Sequence, residues 1–150
     1  MSHSQLDTLY KFEQDKEAQA AKDLQQAEFE CQQNLTRIQS VADFRLEYMK
    51  RLSDRSQLGI DSSTFNHYHK FISKLDYANE QVIIALKQAE ALVAQKKQAW
   101  LAQRQKVQAV EILQAKSLAR QQLKENRAEQ RMYDEISSQQ YIRKKLANNY

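Results

Sequence analysis

The sequence predicts an all-α protein, with two long helices forming an antiparallel coiled-coil hairpin. Three observations carry that expectation. The 150 residues include one glycine and no proline, whereas globular chains average about 7% and about 5% and use them for the tight turns of sheets and multi-helix globules. Apolar and small residues recur at alternating spacings of three and four, the signature of a helical seam. One short segment, around Gly59, offers the break between two helices.

Composition limits the core to such a seam. The chain holds 22 Gln and 17 Ala, 28% of it is charged and 41% hydrophobic on a count that includes Ala and Tyr. Mean hydropathy is -0.82. These are helix formers with long, soluble side chains, too few of them apolar to fill a thick interior.

Helix one is expected from Leu6 to about Ser56. Its seam follows Leu24, Glu28, Cys31, Leu35, Ile38, Ala42, Arg45, Met49 and Leu52, in which the charged members are long enough to bury their stems and keep their heads wet. Leu6, Leu9, Tyr10, Ala20 and Ala21 extend it upstream less regularly. The break is expected at residues 57–63. Gly59 can take the positive φ that ends a helix, and Asp61, Ser62 or Ser63 can accept hydrogen bonds from the first amides of the next.

Helix two is expected from Thr64 to about Leu146. Its seam runs Tyr68, Ile72, Leu75, Asn79, Val82, Leu86, Ala89, Val93, Lys96, Trp100, Gln103, Val107 and Val110. Beyond Val110, Leu113, Leu118 and Leu123 no longer keep regular a and d positions. Folding back at Gly59 pairs residues whose numbers total about 120, which sets Trp100 against the small Ala20 and Ala21, large against small as good packing asks. At 1.5 Å per residue, helix one spans roughly 75 Å and helix two roughly 125 Å. The second is therefore expected to overhang the first by roughly 50 Å, and the whole of 1–150 to form a single hairpin. A polar overhang of that kind frays alone and orders against a partner.

Charge divides along the chain. Residues 1–60 carry eight basic and ten acidic side chains, and residues 61–150 carry fifteen and nine. Lys96–Arg131 holds nine basic and three acidic residues, either a solvated helix face or a surface for an acidic protein, nucleic acid or anionic lipid. Aromatic residues in that stretch and just beyond are limited to Trp100 and Tyr133, which serves base stacking poorly, so no nucleic-acid partner is expected. The first residues show no apolar signal core. The longest strongly apolar run, Val82–Leu86, falls far short of the roughly 20 residues that span a bilayer, so no membrane insertion is expected. A lone Cys31 fits a reducing compartment, and the expected location is cytoplasmic.

Catalysis finds little support, and neither a catalytic residue, a cofactor nor a metal is expected. His3, His67 and His69 are the only histidines. The last two are two residues apart and face different sides of a helix, and Cys31 lies on the seam, so no Cys/His pair or zinc set assembles. One glycine cannot build a phosphate loop.

Two features point instead to protein partners. Arg37, Val41, Phe44 and Tyr48 form a second stripe beside the helix-one seam, with Phe71, Leu75 and Ala78 as a similar row on helix two. They either widen the two-helix interface or leave an apolar patch for another protein. In the overhang, Arg127 and Arg131 are i,i+4 neighbours with Asn126 and Gln130 alongside. Glu125 and Glu129 can pair with them; otherwise the face is free to touch a ring or cleft of another protein.

In order and spacing, several elements together resemble the FliJ family of the bacterial flagellar type III export apparatus, over nearly the whole chain. They are Cys31-Gln32-Gln33, Phe44 with Tyr48, the turn Leu58-Gly59-Ile60-Asp61-Ser62, Tyr68-His69-Lys70-Phe71-Ile72 with Leu75, and Glu125-Asn126-Arg127 with Gln130 and Asp134-Glu135. The resemblance implies a two-helix stalk similar to the central stalk of rotary ATPases, without enzymatic activity of its own. It implies that the end carrying both termini, with Asn126, Arg127, Gln130 and Arg131, engages the hexameric export ATPase. It also implies that Arg37, Val41, Phe44, Tyr48, Phe71, Leu75, Ala78 and Val82 dock on the export-gate membrane protein, that export chaperones are partners, and that the protein sits peripherally at the inner membrane of the flagellar base. The equivalent stalk of a virulence injectisome would share this architecture.

Overall fold

The computed structural model describes residues 2–149, and two helices account for nearly all of them: α1 (His3–Leu58) and α2 (Ser62–Asn148). No strand occurs among the described residues. The helices pack against each other as a hairpin, and by internal contacts the chain divides into two compact units. One is Lys16–Arg104; the other joins the residues before Lys16 to those after Arg104.

Each helix end has a local cause. The Ser2 hydroxyl accepts the Gln5 N–H at 3.3 Å while the Gln5 side-chain oxygen accepts the Ser2 N–H at 3.0 Å. This reciprocal capping box starts α1 three residues before the expected Leu6. At the other end Gly59 takes φ 82°, a left-handed conformation that closes a helix, and its N–H bonds the Ser56 carbonyl. Asp61 then caps α2: its carboxylate accepts the Thr64 N–H at 2.9 Å and its carbonyl accepts the Phe65 N–H at 3.1 Å. The break is thus only Gly59, Ile60 and Asp61, shorter than the expected 57–63, because the cap lets α2 begin at Ser62.

Within Lys16–Arg104 the α2 seam lies where the spacing puts it, from Tyr68 through Trp100. The α1 seam does not. Ala27, Asn34, Val41 and Tyr48 turn inward, whereas Glu28, Leu35, Ala42 and Met49, each one residue further on, are exposed. The inward set with Leu24, Cys31, Ile38, Arg45 and Leu52 makes an unbroken three-four alternation. A seam traced through Glu28, Leu35, Ala42 and Met49 is an equally regular four-three alternation but is displaced by one residue at every second position, because the heptad from Leu24 to Leu52 alone does not choose between the two. Trp100, Ala20 and Ala21 are all half-buried, and the Arg104 guanidinium sits over the Trp100 ring, 5.4 Å from its centroid.

In the other unit Leu6, Val107 and Val110 are buried. Tyr10 donates its hydroxyl to Glu111 at 3.3 Å and Gln114 its amide to Asp7 at 3.0 Å. These pairs, like Arg45 with Asp76 in the first unit, have numbers totalling about 120, the register expected from a fold at Gly59. No described side chain is less than 2% exposed, so the interior is a seam throughout.

Candidate partner-binding surfaces

Two surfaces stand apart. The first is an aromatic cluster beside the Gly59 turn, in the Lys16–Arg104 unit. Leu52, Tyr68 and Ile72 form its buried floor, with Tyr48 and Ile60 packed against it. Tyr48 stacks on Phe71 with centroids 4.3 Å apart and meets Tyr68 at 5.1 Å. Phe44 lies over both Tyr48 and Phe71, at 6.3 and 6.4 Å. Offset and tilted rings at these separations add about 0.5–1.5 kcal/mol per pair beyond area burial.

The second stripe read from spacing is therefore two things. Val41 and Tyr48 belong to the seam rather than lying beside it, and Leu75, Val82 and Phe71 are half-buried there. Arg37, Phe44 and Ala78 are exposed, Phe44 by 50%. Arg37 and Phe44 are seven residues apart, as are Phe71 and Ala78, so each pair repeats one flanking position of the heptad. Of the eight residues, Phe44, Tyr48 and Phe71 meet ring to ring, and the others are placed beside them by heptad position.

Three polar features of this region are not given by apolar spacing, although Arg45 and Asn79 themselves lie on the expected seams. Arg45, on the seam, reaches Asp76 at 2.6 Å. The side-chain carbonyl of half-buried Asn79 lacks a hydrogen-bond partner. Lys70 and Lys74 line a shallow groove with Phe71, His67 and Ser73; their i,i+4 separation is the available signal.

The second surface is the last part of α2, in the other unit. From Leu118 onward every described side chain is exposed, including Met132 at 65%, Tyr133 at 68% and Tyr141 at 67%. Asn126, Arg127, Gln130 and Arg131 all lie in this stretch. Arg127 and Arg131 line a shallow groove with Arg120, Leu123, Lys124 and Ala128. Glu125 takes the Gln121 amide at 3.4 Å and Gln130 turns to Asp134 at 3.5 Å. Among the described residues no ion pair joins Glu125 or Glu129 to Arg127 or Arg131, so these guanidiniums stand free in solvent.

Cys31 is half-buried and free. Among the described residues no group of three or more His, Cys, Asp or Glu converges as a metal site, and no helix is long and apolar enough to cross a membrane.

Comparison with known proteins covers nearly the whole chain. The family model described as "Flagellar FliJ protein" matches residues 1–146. The chain is 30% identical over 142 residues to the Flagellar FliJ protein of Salmonella typhi, covering 95% of this chain and 97% of that one. It is 29% identical over 142 residues, with the same coverage, to the Flagellar FliJ protein of Escherichia coli strain K12. No solved structure matches. A helical hairpin matched over almost its full length by the family model and by both relatives belongs to the FliJ family of flagellar proteins.

Proposed function

We propose that the protein is a non-enzymatic stalk of the flagellar type III export apparatus, joining the export ATPase to the export gate. The observation that carries this reading is the terminal segment of α2. About 30 residues of helix with no buried side chain gain nothing from internal packing, and a helix of such composition owes its order to what surrounds it. Asn126, Arg127, Gln130 and Arg131 there meet the central opening of the hexameric ATPase and favour its assembly. Polar contacts suit a part that must slip past several copies of one subunit, since exposed charge pairs hold weakly.

The strip of Arg37, Val41, Phe44, Tyr48, Phe71, Leu75, Ala78 and Val82 docks on the export-gate membrane protein. Its exposed ring on a rigid aromatic base has the character of an interface anchor. Export chaperones share the protein, which works at the cytoplasmic face of the flagellar base without inserting into the membrane.

The test uses the full chain. Arg127→Glu with Arg131→Glu is expected to weaken stimulation of purified export ATPase about tenfold or more and to reduce hexamers seen by sedimentation, while gate binding persists. Phe44→Ala is expected to do the reverse. Tyr48 is unsuitable for this purpose because it packs on Phe71 and the buried cluster. Equal loss of both activities in each variant, at unchanged helix content, would overturn the division between the two surfaces.

A further inference from the structure

We propose that the aromatic strip receives an acidic segment with an apolar anchor, the anchor seating on Phe44 and Phe71 and the carboxylates on Lys70 and Lys74. The inference rests on the gate-docking reading above and assigns that partner's chemistry together with two residues outside the strip.

Charge on the α2 side of the strip is one-sided. From Ser62 to Leu75, α2 carries Lys70, Lys74, His67 and His69 and no carboxylate. Lys70 and Lys74 border Phe71 in one groove, which continues past Lys70 and His67 to Ser63 and Thr64. Three of the nearby acids are engaged elsewhere, and exposed Asp43 and Asp54, both on α1, form no ion pair with either lysine. Asp76 holds Arg45 at 2.6 Å, Glu47 holds Arg51 at 2.9 Å, and Asp61 caps α2 through Thr64. Among the described residues no ion pair involves Lys70 or Lys74. Two exposed ammonium groups beside the half-buried Phe71 ring, itself 6.4 Å from Phe44, thus lack an internal counter-charge.

Neither half of this patch suffices alone. A ring 50% exposed supplies affinity when a partner covers it, but an apolar contact accepts many occupants. Rim cations select among them and speed encounter with an anionic one. Lysines one helical turn apart sit about 6 Å from each other. Carboxylates at i and i+2 of an extended segment have nearly the same separation, at about 3.3 Å per residue. Lysine also suits such a rim, because a point charge on a flexible stem tolerates a segment that arrives in varied geometry, where a guanidinium fork would demand one.

The experiment measures binding of the full-length protein to the cognate export-gate membrane protein in detergent, at low and high sodium chloride. Lys70→Glu with Lys74→Glu is expected to weaken binding about tenfold or more at low salt, mainly through slower association, and to flatten the salt dependence seen in the parent. Lys70→Gln with Lys74→Gln falls between, and both lysines being exposed, far-UV circular dichroism should be unchanged. Phe44→Ala is expected to speed dissociation at both salts. Should Phe44→Ala weaken binding while neither lysine variant does, the acidic partner is overturned and the docking surface stands. If none of the three weakens it, the docking reading itself fails. A third arm uses phosphatidylglycerol vesicles: binding to them that depends on the two lysines, with gate binding unaffected, would assign the lysines to lipid and overturn the proposal.

Discussion

The cluster beside the Gly59 turn and the last 30 residues of α2 are both helical and both display aromatic rings, yet they owe their order to different things. Near the turn, Tyr48, Tyr68, Phe71 and Phe44 lean on one another over a buried floor of Leu52 and Ile72. In the terminal stretch Tyr133, Tyr141, Met132 and Ile136 have no floor, and each is at least 45% exposed. Propensity alone sustains a long helix weakly in water, so the contrast separates a surface that is ready before its partner arrives from one that its partner must complete.

The sharpest way to break this comparison is to remove the floor. Ile72→Ala deletes a side chain that is 6% exposed and is expected to cost about 2–4 kcal/mol in urea unfolding. Met132→Ala, on the unsupported stretch, should leave the same transition within about 0.5 kcal/mol. Hydrogen exchange should agree, with amides from 121 onward exchanging orders of magnitude faster than those around Leu52 and Ile72. Comparable protection in the two regions would show that the terminal helix is stabilised by something other than packing against α1.

Much of this contrast can be read from the amino acids, and what cannot has a common cause. A single glycine locates the turn, and three-four spacing locates α2's seam residue by residue. On α1 the same reasoning errs where two neighbours compete for one seam position, as with Leu35 and Asn34 or Met49 and Tyr48. Hydrophobicity favours the first of each pair, and the heptad set by Leu24, Cys31, Ile38 and Leu52 accepts either, since three-four and four-three steps both restore it every seven residues. Which neighbour turns inward is decided by the side on which α2 packs, and that is not written in α1's own spacing. Arg45 with Asp76, and Ser2 with Gln5, are hidden for another reason: each depends on where two polar side chains point. Lys70 and Lys74 escape notice because charge on a helix usually means only solvent.

The turn offers a smaller perturbation of the supported region. Gly59 has φ 82°, and a Cβ added there would meet nothing within 4 Å, so Gly59→Ala tests backbone strain without a clash. A side chain in the left-handed region costs about 1–2 kcal/mol. The expected loss is about 1 kcal/mol, read as a lower urea midpoint with unchanged slope, and ATPase stimulation should not change. A larger loss with a changed slope would mean that the turn governs pairing well beyond itself.

The smallest expected effect concerns the cap that starts α2. Hydrogen bonds from Thr64, its side chain first and then its backbone N–H, hold the Asp61 carboxyl below its ordinary value of 3.8. A carboxyl with a depressed folded-state pKa adds stability that is fully present above the ordinary value and is lost as pH falls through the folded one. Melting temperature should therefore carry an acid-side decrement below about pH 4 that Asp61→Asn lacks, since the amide oxygen still caps the helix but does not titrate. Other groups contribute to acid unfolding as well, so the quantity to follow is the difference between parent and variant. A difference that stays constant from pH 7 to pH 2 would mean that Asp61 serves the turn by its geometry alone, and that its charge contributes nothing to holding the aromatic face in place.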